Sequence, residues 1–222
     1  MKNPSVRKAS CVQVVEAVSV AKGRVRLIPF DRNAWFQCAY FSIQRTLPQG
    51  IRQIALDQLQ NDLFEAVYAL KQQPPAADAF EPWIARTIQT QSDTYRLSIG
   101  QSQRLINTLL KYYYCYYHAE IDRTWNEAHQ FIAQHSPFFH IPIDSHVLIG
   151  LKVTYDCPDL HINRAQTYAT FRVGDALVSW SRLDDLPVYV KVQRFVQAVR
   201  DNHLHIFDTA LDFAMSELAG PP

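Results

Sequence analysis

The chain has 222 residues, 48% of them apolar and 19% charged, with a formal net charge of +1. That length buries a full-sized core without disulfide or metal staples, and the composition excludes a wholly disordered chain. No apolar run approaches the ~18 residues of a membrane span, and Glu16 with its polar neighbours breaks the continuous apolar core that a signal peptide needs after Lys2, Arg7 and Lys8.

These features lead one to expect a soluble, cytoplasmic protein with no membrane partner. Charge is unevenly spread. Residues 1–60 hold nine Lys/Arg and three Asp/Glu, a balance of +6, and residues 153–222 hold six and nine, a balance of −3. A basic N-terminal third suits phosphate contacts or an ordinary solvated surface. Cys11, Cys38, Cys115 and Cys157 form no C-x-x-C pair and are expected to be reduced thiols that bind no metal.

In chain order, residues 10–29 are rich in β-branched residues. They predict a strand or short hairpin turning at Lys22-Gly23, or a loose helix followed by an extended arm. From Asp31 or Asn33, either of which can cap, a helix is expected to carry Trp35, Cys38, Ala39 and Ile43 on one face. Ile51, Ile54, Ala55, Leu59, Leu63, Ala66, Val67 and Leu70 recur at three- and four-residue steps, which is the clearest amphipathic helix in the chain. Pro74-Pro75 ends it, a loop runs to Pro82, and a short helix with Trp83, Ile84 and Ile88 follows.

Ser98-Ile99-Gly100 reads as a turn opening a helix with Leu105, Ile106, Leu109, Leu110, Tyr113, Tyr114 and Tyr117. Asp122 to His135 reads as a further helix, and Asp144 as the N-cap of a helix bearing Val147 and Leu148. Residues 153–188 look irregular. Two helices close the chain, the first with Tyr189, Val192, Phe195, Val196 and Val199, and the second with Leu204, Phe207, Leu211, Met215 and Leu218. The expected fold is mainly α, one domain of two helical lobes meeting around residues 96–150, with a short N-terminal β element.

Two helix openings carry the chemistry. Ser98-Ile99-Gly100-Gln101-Ser102-Gln103-Arg104 begins one, and Pro142-Ile143-Asp144-Ser145-His146-Val147 begins the other. A Gly turn at a helix N-terminus offers backbone N–H groups to a phosphate. An Asp opening a second helix can aim a carboxylate into a cleft, where it stabilises positive charge on a sugar. Together they suit cleavage of the N-glycosidic bond of a flipped nucleotide.

This pair of segments resembles the helix-hairpin-helix DNA glycosylase superfamily over residues 96–150. The resemblance implies a hydrolase that binds DNA and releases a modified or damaged base. It implies that Asp144 is the catalytic carboxylate and that Gly100 is the hairpin glycine, the two facing one cleft. Gln103, Arg104 and Lys111 would contact the nucleic acid, and Trp180 or a Tyr would stack in the base pocket. Where bifunctional relatives carry a Schiff-base Lys, this chain has Arg104, whose guanidinium stays protonated and cannot form the imine.

A second constellation, Arg200-Asp201-Asn202-His203-Leu204-His205, resembles the motif of the α-helical HEPN ribonucleases. It would place Arg200 and His205 on an RNA backbone, with Asp201 as the polar helper. A third reading is a helical interaction protein without catalysis, which the near-neutral charge favours. His135, His140 and His146 lie close in sequence, but no H-E-x-x-H pattern accompanies them, so no metal or other cofactor is expected. The tyrosines from Tyr112 to Tyr117 cannot all face one core, and some of them must meet another layer or a partner. No P-loop, dinucleotide fingerprint or nucleophile elbow occurs.

Overall fold

The computed structural model describes residues 36, 39–40, 42–47, 56–73, 75–118, 135, 138–163 and 167–202. Among these the protein is mainly α, with a small three-stranded sheet near the C-terminal side. Phe36, Ala39, Tyr40, Ser42, Ile43 and Gln44 are helical, and Phe36, Ala39, Tyr40 and Ile43 are buried. The expected N-terminal β element, the helix over Asp122–His135 apart from His135, and the last helix lie outside the described residues.

Helix α1 spans Leu56–Gln72. Its Leu59, Leu63, Phe64 and Val67 are buried while Asn61 is exposed, so the three- and four-residue period decides the buried face here. Helix α2 spans Phe80–Tyr95, which is longer than the sequence pattern suggests. Pro82 lies inside its first turn, where the missing N–H has no intrahelical partner to lose, so it does not delay the helix. Phe80, Ile84, Ile88, Gln91 and Tyr95 form its inner stripe, and Arg96 ends it in the left-handed conformation at φ 53°.

Helix α3, Ile99–His118, runs through the centre and packs on α2. Its start is a capping box. The Gln101 amide donates to Ser98 Oγ at 3.0 Å, and the Ser98 amide donates to Gln101 Oε1 at 3.0 Å. Helix α4, Ser145–Tyr155, starts at Asp144, whose carboxylate accepts the Val147 N–H at 3.0 Å, as the sequence predicts.

The stretch that looks irregular in sequence holds the sheet. Strands β1 (Leu160–Ile162), β2 (Ala169–Val173) and β3 (Ala176–Val178) pair antiparallel in that order. Val173 opposes Ala176, which leaves Gly174 and Asp175 as a two-residue hairpin turn. Gly174 adopts φ +57°, the conformation that a tight hairpin asks of its first central residue and that glycine accepts without strain. Sheet residues Leu160, Ala169 and Phe171 are buried, and α4 packs on β1 and β2.

A 3-10 turn, Trp180–Arg182, then crosses the start of α3, and helix α5 follows over Leu186–Asn202. Asp185 caps α5 by accepting the Val188 N–H at 2.8 Å. Tyr189, Val192 and Val196 turn inward. Most of the buried apolar side chains of these elements belong to one hydrophobic cluster. Among the described residues, no helix is long and apolar enough to cross a membrane. Cys115 and Cys157 are buried thiols, and Cys11 and Cys38 lie outside the described residues.

Candidate active site

The segment from Phe139 to Asp144 runs extended across the core before α4 begins, and buried side-chain amides hold it. Gln103 on α3 pairs with Ile143 in both directions. Its Nε2 donates to the Ile143 carbonyl at 2.8 Å, and the Ile143 N–H donates to its Oε1 at 3.1 Å. Gln193 on α5 does the same at Ile141, with Nε2 to the carbonyl at 2.8 Å and the Ile141 N–H to Oε1 at 3.2 Å. Asn107 donates to the Ile141 carbonyl and to the Tyr189 hydroxyl, and His140 Nδ1 meets that hydroxyl at 2.8 Å.

Gln103, Asn107 and Gln193 are all at most 3% exposed. The two glutamines substitute for strand neighbours, so a lone extended segment has its buried backbone groups paired. Burial pushes the Tyr189 phenol well above its ordinary range, partly offset by its hydrogen bonds to Asn107 and Gln193, and it stays protonated.

This framework delivers Asp144 to the edge of a cleft of about 650 Å³. The walls carry Arg104 from α3, Asp144 and His146 from the start of α4, and Trp180 from the 3-10 turn. Ser42, Gln44, Arg45, Thr46 and Ser145 complete the lining. Asp144 Oδ2 meets Arg104 Nη2 at 3.0 Å, and Arg104 Nη1 donates to the Pro142 carbonyl at 2.9 Å. The carboxylate is thus fixed by a guanidinium and a backbone N–H, and its side chain keeps 21% of its surface exposed. Each oxygen retains lone-pair capacity toward the cleft.

Three residues that the sequence singles out, Asp144, Arg104 and Trp180, therefore share one surface. Gly100 is placed differently. It is buried inside the first turn of α3, and its N–H donates to the Leu183 carbonyl at 2.9 Å. A Cβ there would lie 1.6 Å from the Trp180 carbonyl oxygen. The glycine permits a close backbone crossing, and the Ser98, Gly100, Gln101 and Ser102 amides around it are paired within the protein. The Gln101 and Ser102 amides go to the Ser98 hydroxyl and carbonyl. Gln103 points at Ile143 rather than into the cleft. Lys111 is buried two turns further along α3 and is not among the residues lining the cleft.

Of the second constellation, Arg200 and Asp201 belong to α5 but their side chains lie outside the described residues, as does His205 entirely. Tyr114 is fully buried while Tyr112 and Tyr113 pack partly buried against the core, and the side chains of Tyr116 and Tyr117 lie outside the described residues. His135 packs near Phe80 and its Nε2 meets the Pro75 carbonyl at 3.1 Å. Among the described residues, no group of three His, Cys, Asp or Glu is placed to hold a metal ion.

Sequence reasoning misses Arg45 and the framework role of Gln103, Asn107 and Gln193, and it names His146 without giving it a place in the site. Arg45 meets the rest of the site only through the tertiary fold. The Gln103–Ile143 pairing, which spans 40 residues, leaves no local pattern. Comparison with protein-family models, curated proteins and solved structures gives no match to this chain.

Proposed function

We propose that the cleft is the site of a DNA-glycosylase-like activity that cleaves the N-glycosidic bond of a modified or damaged base. The observation that carries this reading is that Asp144, Arg104 and Trp180 line one cleft, with the carboxylate partly exposed and fixed at a helix N-terminus. A volume of about 650 Å³ falls in the range of small-molecule sites.

In this reading the base stacks against Trp180 and the sugar lies toward Asp144. As the C1′–N bond breaks, its electron pair leaves with the base and positive charge grows on the sugar ring. The Asp144 carboxylate, held in place before the reaction, stabilises that charge. Water then attacks C1′ and gives a proton to the Asp144 carboxylate, and the departed base anion takes up a proton from solvent. Arg104 cannot form a Schiff base, so the product is an intact abasic strand.

The test is incubation of the protein with DNA carrying a panel of modified bases, followed by detection of the free base and alkali cleavage of the abasic site. Alkali-dependent breaks with free base in solution are expected. A protein that releases no base from any member of the panel refutes the reading.

A further inference from the structure

Resting on the reading of the cleft as a nucleotide site, we infer that it selects a phosphate-bearing nucleotide unit whose phosphate is held by Arg45 and Arg104, with Arg104 leaving Asp144 to do so. The cleft holds two guanidiniums, Arg45 and Arg104, against one carboxylate, Asp144. Asp144 pairs with Arg104, while Arg45 is exposed and meets no carboxylate within ion-pair distance among the described residues. Among the described residues, one positive charge of the cleft lining therefore has no carboxylate partner.

Two of the lining hydroxyls are already committed, Ser42 Oγ donating to the Ala39 carbonyl at 2.5 Å and Thr46 Oγ1 to the Ile43 carbonyl at 2.7 Å. The two guanidiniums are the lining groups whose permanent positive charge suits an anion. The present seat of Arg104 is imperfect. Its Nη1 and Nη2 are bonded, but its Nε is buried with no partner. A buried donor without an acceptor is costly, and a phosphate offers a guanidinium bidentate, charge-assisted bonds. Moving Arg104 onto a phosphate relieves that donor and uncovers Asp144 Oδ2. Binding of the correct ligand then exposes the carboxylate, and an empty cleft keeps it neutralised.

Isothermal titration calorimetry tests this with adenosine 5′-monophosphate, adenosine, inorganic phosphate and a short oligodeoxyadenylate as probes, on wild type, Arg45→Gln and Asp144→Asn. Asp144→Asn retains the oxygen that accepts the Val147 N–H, and circular dichroism checks its fold. The monophosphate should bind about tenfold or more tighter than adenosine, the ratio expected of one charge-assisted pair. Arg45→Gln should lower that ratio severalfold, Arg104 remaining to hold the phosphate. Asp144→Asn should tighten monophosphate binding severalfold relative to adenosine, because the carboxylate that competes for Arg104 is gone. The oligonucleotide against the monophosphate tells a strand-borne unit from a free one.

Equal affinities for monophosphate and nucleoside overturn the inference, as does absence of saturable monophosphate binding. So does an Asp144→Asn variant that binds the monophosphate more weakly. A phosphate preference without base release from any modified substrate leaves this site standing and removes the glycosidase reading. Base release without a phosphate preference does the reverse.

Discussion

Replacing Gly100 with Ala separates two roles for that glycine. In an ordinary helix the change is favourable by about 1 kcal/mol, because alanine loses less backbone freedom. Here the new methyl would sit 1.6 Å from the Trp180 carbonyl oxygen and 2.8 Å from its carbon, and both are backbone atoms that no rotamer change can move. The 3-10 turn must shift away from α3, a small-to-large strain of about 1–3 kcal/mol. The same shift weakens the bond from the Gly100 N–H to the Leu183 carbonyl, now 2.9 Å, for about 0.5–1.5 kcal/mol more. After the gain in helix propensity, the net loss is about 1–3 kcal/mol. At this chain length each kcal/mol is about 2–4 °C, so the thermal midpoint should fall by roughly 2–12 °C. Differential scanning calorimetry of the purified variant reads this directly. An unchanged or raised midpoint would refute the close-crossing account. If it came with lost ligand binding, it would point back to a glycine that serves a phosphate.

Leu63→Ala removes a side chain 1% exposed on the inner stripe of α1 and should cost about 2–5 kcal/mol by urea unfolding, while Asn61→Ala on the outer face should change stability by less than about 0.5 kcal/mol. Gln103→Leu keeps the volume but strands the buried Ile143 N–H and carbonyl, for about 2–4 kcal/mol, and should also loosen Asp144; stability equal to wild type would show that the bidentate pairing contributes nothing. Burial pushes the Cys157 thiol up from 9.0 to about 11, so it should resist iodoacetamide at pH 8 in the native protein and react promptly once unfolded. Because the folded state favours the neutral thiol, its contribution to stability is fully present below pH 9 and is lost as pH rises toward 11. Rapid native alkylation at pH 8 would contradict this placement.

The helices were legible where a long apolar period met a clear stop or cap. Leu59, Leu63 and Val67 in α1, Tyr189, Val192 and Val196 in α5, and the Asp144 cap before Val147 are of this kind. The sheet was not, because β1 and β3 are three residues long and β2 is five, too short for alternation to stand out. Its one local signal was Gly174-Asp175 between β-branched and small apolar residues. Gly100 was misleading for a related reason. A glycine near a helix start reads as a turn, whereas the neighbour that requires it, Trp180, lies 80 positions away. Asp144 and Arg104 were each visible as residues, but their 3.0 Å pairing and the presence of Arg45 in the same cleft depend on α3, α4 and the 42–46 segment meeting in space.

The most direct measurement of the central claim is single-turnover base release by wild type and Asp144→Asn on the same modified duplexes. Asparagine preserves the cap to the Val147 N–H and removes the charge that would stabilise the sugar cation. The account predicts equal thermal midpoints within about 1 kcal/mol of stability and release slowed by about 100-fold or more in the variant, the order lost with a preorganised electrostatic group. Release by Asp144→Asn at the wild-type rate would contradict it.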